Sequence, residues 1–275
     1  MKAPHWLIER AISEDVGIQG DVTTNFFVPK NAKIVGRIVL KASGVVCGTE
    51  IAAQVFHVIA PTSRVRILIR DGKSAKPGQT ILAVSGDRKI LTAERIALNF
   101  LQRLSGIATL THAFSGHVKG TRAKIYDTRK TLPGWRVLDK YAVKCGGGEN
   151  HRHGLYDMAL LKDNHWAFGN LKNAVSTFRR KHPKIPLEIE ADRLSRVREA
   201  LRLGADMILL DNMSVKNLRL SIALIRKSSP KTAIEISGGV NIKNLRSIAR
   251  LGPDRISIGR LTHSAPALDM SLEIP

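Results

Sequence analysis

Along the first ~110 residues, apolar positions recur with two different periods. Residues 5–15 and 49–59 repeat at helical spacing. Residues 34–41 (IVGRIVLK), Val65–Ile69 and Thr80–Val84 read as strands, with Asp71-Gly72 and Lys76-Pro77-Gly78 as turns between them. A long helix is predicted over 92–115, where Ile96, Leu98, Phe100, Leu101, Leu104, Ile107 and Leu110 give a broad apolar face. Strands without regular strand–helix alternation predict a small α+β domain over residues 1–110.

From residue 123 the pattern changes. Short apolar runs at Ala123–Tyr126, Met158–Leu161, Leu187–Ile189, Met207–Leu210, Ile234–Ile236 and Arg255–Ile258 alternate with helical stretches such as 193–203 and 215–227. Such alternation predicts parallel strands with helices outside, as an open doubly wound sheet or a barrel. Each run ends in residues capable of chemistry: Asp127-Thr128-Arg129-Lys130, Lys162-Asp163-Asn164-His165, Glu190, Asp211-Asn212, Ser237-Gly238-Gly239 and Gly259-Arg260. An open sheet gathers its ligand residues at one switch point, whereas a barrel builds its site from all the C-terminal strand ends. The expectation is therefore an incomplete α/β barrel of six or seven strands over residues 111–275, with 266–275 able to return to the first domain.

Composition narrows the class. A chain of 275 residues with 43% hydrophobic and 24% charged residues is ordinary globular protein rather than disordered chain. No apolar run approaches the ~20 residues of a membrane span, and the N-terminus has acids early and no signal-peptide core. Cys47 and Cys145 are too few for a disulfide scaffold and too widely spaced for a zinc motif, so a reduced, cytoplasmic enzyme is expected. The net charge of +21 is spread over both parts, with no basic tail. It permits nucleic-acid binding, and it equally suits an enzyme whose positive cleft concentrates small polyanions. Cations at strand ends favour the second, so small-molecule substrates, no nucleic acid and no membrane are expected.

The strand ends offer three constellations. Arg129, Lys130, His151, Arg152 and Lys162 would crowd one mouth, an arrangement that calls for a multiply anionic ligand; on a solvated surface the same residues would be unremarkable. Ser237-Gly238-Gly239 before a helix and Ser257-Ile258-Gly259 on the next strand are either ordinary tight turns or a barrel phosphate site. Glu190 and Asp211, on neighbouring strands, would bind magnesium or sugar hydroxyls, or else form structural ion pairs. Cys145-Gly146-Gly147-Gly148 before His151 reads as a helix end with a loop, or as a mobile segment presenting His151 and Arg152. Cys145 itself reads as a packed small residue.

Longer motifs then align. DTRKT at 127–131 with Pro133-Gly134, KYAVKCGGGENHR at 140–152, GLYD at 154–157, LKDNH at 161–165, LDNM at 210–213, SGG at 237–239 and LTHSA at 261–265 resemble the quinolinate phosphoribosyltransferase family. So do Glu14-Asp15, Gly20–Thr24, Glu94-Arg95 and Leu104–Thr109, and the resemblance spans nearly the whole chain. It implies an N-terminal sandwich-like domain, an incomplete barrel, and a homodimer or hexamer of dimers with shared active sites. It also implies conversion of quinolinate and phosphoribosyl pyrophosphate to nicotinate mononucleotide, pyrophosphate and carbon dioxide with magnesium (Mg2+), on the route to NAD. By motif, Arg129, His151, Arg152 and Lys162 would hold the quinolinate carboxylates, with Arg95 reaching in from a partner subunit. Thr128 and Lys130 would join the substrate site, Lys130 at phosphate or pyrophosphate. Glu190 and Asp211 would bind ribose hydroxyls and magnesium. Ser237, Gly238, Gly239, Ile258, Gly259 and Arg260 would cradle the 5′-phosphate, with His263 nearby. Lys130 or Lys162 would assist protonation after decarboxylation. Molybdenum-utilisation relatives share the fold, but Lys162 and His151-Arg152 argue for the transferase.

Overall fold

The computed structural model of the protein describes residues 1–168 and 171–274. Two compact units emerge. The first contains Met1–His112, Leu132–Gly147 and the stretch from Leu261 on; the second contains Ala113–Thr131 and Gly148–Arg260.

The first unit opens with α1 (His5–Val16) and α2 (Val22–Phe27), the latter capped by Asp21, whose carboxylate accepts from the Thr24 amide at 2.8 Å. It continues through β1 (Ile34–Leu40), β2 (Gly44–Val45), α3 (Thr49–Ile59), β3 (Arg64–Ile67), β4 (Ser74–Ala75), β5 (Thr80–Gly86) and the long α4 (Lys89–His117). Beyond them in the chain lie the second unit's β6 (Lys124–Tyr126) and then α5 (Arg136–Cys145). The elements predicted over 1–115 are thus all present, α4 extending a turn beyond expectation at its start. The antiparallel sheet runs β1 between β5 and a late strand at Met270–Glu273, with β3 on the far side of β5. Its buried face carries Ile38, Leu40, Leu82 and Val84, and α3 and α4 bury Ile51, Val55, Phe56 and Ile96. Two anchors hold α5 in this unit. Trp135, its N-cap, stacks on Phe100 with ring centroids 4.6 Å apart, and buried Asp139 takes a two-pronged grip from Arg103 at 2.9–3.2 Å.

In the second unit β6 is joined by β7 (Ala159–Leu161), α6 (Leu171–Lys181), β8 (Leu187–Ala191), α7 (Leu194–Arg202), β9 (Met207–Asp211), α8 (Val215–Ser228), β10 (Ala233–Ser237), α9 (Ile242–Ala249) and β11 (Arg255–Ser257). A short α10 (Arg260–His263) follows, and the strand at Met270–Glu273 is β12. The sheet order is β6-β11-β10-β9-β8-β7, all parallel, an incomplete barrel. Glu149 makes a further parallel bridge to Tyr126, a rudiment of a seventh strand at the β6 edge. Leu187, Ile189, Ile208, Leu210, Ile234, Ile236 and Ile256 alternate toward the helices and are buried. The opposite parity carries Glu188, Glu190, Asp211, Glu235 and Ser237. No helix among the described residues is long and apolar enough to cross a membrane.

Candidate active site

Alternation along the parallel strands decides what reaches the mouth. The pairs Leu160↔Glu188, Glu190↔Leu209 and Asp211↔Ser237 lie in register, so Glu190, Asp211 and Ser237 share the inner face at the C-terminal ends of β8, β9 and β10, and Lys162 follows β7 with the same parity. Lys162 Nζ meets Glu190 Oε2 at 3.0 Å. Asp211 Oδ2 accepts from Asn212 Nδ2 at 2.8 Å.

The two arginines are close enough to feel one another's charge. Burial lowers the proton affinity of Arg152, and the neighbouring Arg129 guanidinium lowers it further. Arg152 Nη1 donates to the Met158 carbonyl at 3.0 Å, which fixes its direction. Arg129 Nε is buried with no hydrogen-bond partner among the described residues. Two guanidiniums held close, one with an unsatisfied buried N–H, are costly until an anion joins them. Thr128 supports the same loop, its hydroxyl accepting from the Lys130 amide at 3.1 Å, while the Lys130 side chain is exposed.

The glycine turn after β10 is tightly built. Gly238 and Gly239 have φ of 82° and 63°, and Asn212, the one non-glycine residue of positive φ among the described residues (50°), donates its amide to Ser237 O at 3.1 Å. A Cβ on Gly238 would fall 2.3 Å from Asn212 Oδ1 and 2.8 Å from its backbone nitrogen, so only glycine fits. The following helix is already capped: Asn241 Oδ1 accepts from the Lys243 and Asn244 amides of α9. An anion here is therefore served by the turn itself rather than by those two helix amides. On β11, Ile258 is buried and its amide bonds to Tyr126 O at 3.0 Å, which takes that N–H out of play; Gly259 is half-buried and Arg260 exposed.

His151 takes a place the strand-end pattern did not foresee. It is buried, and both ring nitrogens are engaged. Nδ1 accepts from the Arg152 amide at 2.7 Å, and Nε2 lies 3.1 Å from Glu188 and 3.4 Å from Glu235, two wholly buried carboxylates. Burial works to lower its pKa, but hydrogen bonding and charge from Glu188 and Glu235 outweigh that and raise it to about 9. Burial and the Glu235 charge push Glu188 up in turn, against His151. Glu188 and Glu235 stand two residues before Glu190 and Ser237 on the same faces, one layer beneath the mouth. The loop is held from the other side by buried Asp127, whose Oδ1 accepts from the His151 amide at 2.9 Å. Glu188 and Glu235 are thus residues that strand-end reasoning missed, and Asp127, named at its strand end, was given no role there. A signal existed, because acids at alternate positions in otherwise apolar inner strands (LEIEA, AIEIS) require a buried cation.

Arg95 and His263 belong to the first unit. Arg95 is exposed on α4, 4.0 Å from Glu94, and His263 Nδ1 lies 2.6 Å from Ser264 Oγ.

Residues 21–105 match the N-terminal domain model of quinolinate phosphoribosyl transferase, and residues 107–273 match its C-terminal domain model. The nicotinate-nucleotide pyrophosphorylase [carboxylating] of Mycobacterium leprae is 41% identical, over 97% of this chain and 95% of that protein. A probable enzyme of the same name from Methanocaldococcus jannaschii is 38% identical over 98% and 96%. Among solved structures, the Ehrlichia chaffeensis nicotinate-nucleotide pyrophosphorylase superposes with a TM-score of 0.92 at 39% identity, covering 98% of each chain. Both halves of the chain are matched, so the chain belongs to the quinolinate phosphoribosyltransferase family.

Proposed function

We propose that the mouth of the parallel sheet joins quinolinate to phosphoribosyl pyrophosphate and decarboxylates the product, giving nicotinate mononucleotide, pyrophosphate and carbon dioxide. The observation that carries this assignment is the Arg129–Arg152 pair, with its unsatisfied buried Nε; Lys162 follows β7 with the parity of the inner face. Three cations at one mouth suit a dianion of fixed angle, and the planar guanidinium fork matches a carboxylate. His151 serves this site from beneath, its ring within ion-pair distance of Glu188 and Glu235, and its chain neighbour Arg152 is fixed by the Met158 carbonyl.

The Ser237–Gly239 turn takes the 5′-phosphate, with Gly259 and Arg260 beside it on the next strand end. Glu190 and Asp211 hold the ribose hydroxyls. As the bond from the sugar carbon to pyrophosphate breaks, positive charge develops on the ribose ring, and these carboxylates favour it. The pyridine nitrogen, held in line, forms the new bond. The ring nitrogen is then cationic, so the carbon–carbon bond to the adjacent carboxylate breaks, carbon dioxide leaves, and the electron pair left on the ring takes a proton. Lys162 is the proton donor nearest the acids, with Lys130 as the alternative.

Two carboxylates on neighbouring strand ends, hard oxygen donors one of which is shared with a lysine, fit magnesium, which takes one or two carboxylates together with substrate phosphates. When bound, magnesium supplies charge neutralisation to the pyrophosphate oxygens. We read the active form as a cytoplasmic homodimer or a hexamer of dimers in which the partner's Arg95 completes the quinolinate pocket; exposed Trp6, Phe26 and Phe27 supply apolar surface for subunit contact.

The test is direct. Purified protein with quinolinate, phosphoribosyl pyrophosphate and magnesium should yield nicotinate mononucleotide and labelled carbon dioxide from 2-carboxyl-labelled quinolinate. No product, with nicotinate accepted instead of quinolinate, would refute the assignment.

A further inference from the structure

The chain has two cysteines, and the reaction above uses neither. Far apart in sequence, they meet in the first unit. Their sulfurs and a carboxylate oxygen of Asp71 all lie within 4.8 Å of one another. Sequence spacing gave no hint of this, because the contact depends on α5 returning to the first unit.

Both cysteines hang from restrained backbone. Cys47 is fully buried and doubly tied to α4: its amide donates to Ser105 Oγ at 2.9 Å, and the Ser105 hydroxyl donates back to the Cys47 carbonyl at 3.1 Å. Cys145 is the half-buried last residue of α5. The next residue presses against α4, since a Cβ on Gly146 would stand 2.4 Å from the Ala108 carbonyl oxygen. The turn at Gly72 closes the other side, its Cβ position 3.5 Å from Cys145 O.

Asp71 is committed elsewhere. Its Oδ1 accepts from the Thr49 amide and hydroxyl at 2.9 and 2.7 Å, and its Oδ2 accepts from Tyr141 at 2.8 Å. A carboxylate with three donors is poorly placed to release an oxygen to a cation, and two sulfurs alone fall short of the four ligands of a thiolate zinc site. The pair is therefore better suited to dithiol chemistry than to a metal. The two sulfurs are also unequal. Hydrogen bonding to Cys145 and burial push the Cys47 thiol well up, while the same bond draws Cys145 down against its own burial and the charge of Asp71. Cys145 is thus the better nucleophile, and it is the one with solvent access. A cavity of about 460 Å³ is lined by Arg70, Asp71 and Tyr141.

We propose that Cys47 and Cys145 are a peroxide-responsive dithiol that closes to an intramolecular disulfide. The Cys145 thiolate attacks one oxygen of hydrogen peroxide. A sulfur–oxygen bond forms, the oxygen–oxygen bond breaks, and the departing hydroxide takes the proton the thiol had released, leaving a sulfenic acid and water. The Cys47 sulfur then attacks the Cys145 sulfur and displaces hydroxide, which leaves as water with the Cys47 proton. Two thiols lose two electrons in all and one peroxide becomes two waters. Closing the bond brings the two sulfurs from within 4.8 Å to about 2 Å. The bond would fasten the end of α5, and with it the start of the Gly146–Gly148 run, to the segment after β2.

The test uses the full reduced chain with stoichiometric hydrogen peroxide. Both thiols should disappear together, the mass should fall by two hydrogens, and digestion without reductant should yield one peptide linking 47 to 145. The melting temperature should rise and return to its starting value with dithiothreitol, because the closed loop is long. In C47S, Cys145 should stall as a sulfenic acid that dimedone traps, with no rise in melting temperature; in C145S, Cys47 should react at least tenfold more slowly. Independent oxidation of either cysteine without the linked peptide, a link between chains, or bound zinc that protects both thiols would each overturn the proposal. The wild-type peptide map decides even if a variant folds poorly.

Discussion

Replacing Gly238 by alanine places a methyl group 2.3 Å from Asn212 Oδ1, 2.5 Å from its Cγ and 2.8 Å from its backbone nitrogen. The Asn212 side chain can swing away, losing its 2.8 Å bond to Asp211, worth about 1 kcal/mol. Its backbone nitrogen cannot, because it is bonded to Ser237 O at 3.1 Å. The φ of 82° adds about 1–2 kcal/mol for any residue with a Cβ. With about 1 kcal/mol of strain for shifting the strand end, the expected destabilisation is about 3–4 kcal/mol. Gly239 is the internal control. Its φ is 63° but a Cβ there meets nothing within 4 Å, so G239A should lose only the backbone part, about 1–2 kcal/mol. Urea unfolding of both variants at matched m-values measures the difference, about 2 kcal/mol. Since 1.4 kcal/mol is tenfold, a distortion of that size at the phosphate turn should raise the KM for phosphoribosyl pyrophosphate more than tenfold in G238A and less in G239A. Equal stability losses and equal KM values in the two variants would show that the turn is neither as tight nor as close to the phosphate as reasoned.

Other outcomes follow from the buried charges and the mouth. The folded-state pKa of His151 lies above its unfolded value of 6.5, so its stabilisation is complete below pH 6.5 and is lost as pH rises through about 9. The change is at most about 3 kcal/mol, capped because the Arg152 amide at Nδ1 opposes the second proton; H151N should flatten the unfolding free energy between pH 6.5 and 9.5, and an unchanged slope would contradict the ion-pair assignment. R103M leaves fully buried Asp139 without its cation and should cost about 3–5 kcal/mol in urea unfolding, with much of the loss recovered in the R103M/D139N double variant. K162M should lower kcat/KM at least about a hundredfold while moving the melting temperature little, because Lys162 is half exposed and its pair with Glu190 is worth at most about 1 kcal/mol to the fold. Near-wild-type turnover in K162M would remove this lysine from the chemistry.

The legible parts of the chain are those in which local pattern and tertiary role coincide. Six short apolar runs ending in polar residues became β6 to β11, because strands buried on both sides must be apolar and their C-terminal ends open to the mouth. The two-residue strands β2 and β4 carry no periodicity to read. The sequence around α5 reads as the end of a helix, but what attaches it to the first unit is Trp135 on Phe100 and Asp139 on Arg103, pairings invisible in one dimension. His151 shows the same limit from the opposite side. Next to Arg152 after a glycine run it looks like a ligand for substrate, and only the positions of Glu188 and Glu235 reveal where its ring goes. The meeting of Cys47 and Cys145 is hidden in the same way, since their spacing along the chain carries no sign of it.

The first unit draws on three separate stretches of chain, and β1 lies between β5 and β12. During translation its opening helices and strands emerge early, but one flank of β1 stays without a neighbour until residues 270–273 have left the ribosome. Until then an apolar sheet edge is open to other nascent chains, so slow synthesis or premature termination late in the message should expose this protein to aggregation and chaperone capture far more than a lesion of equal size near its start.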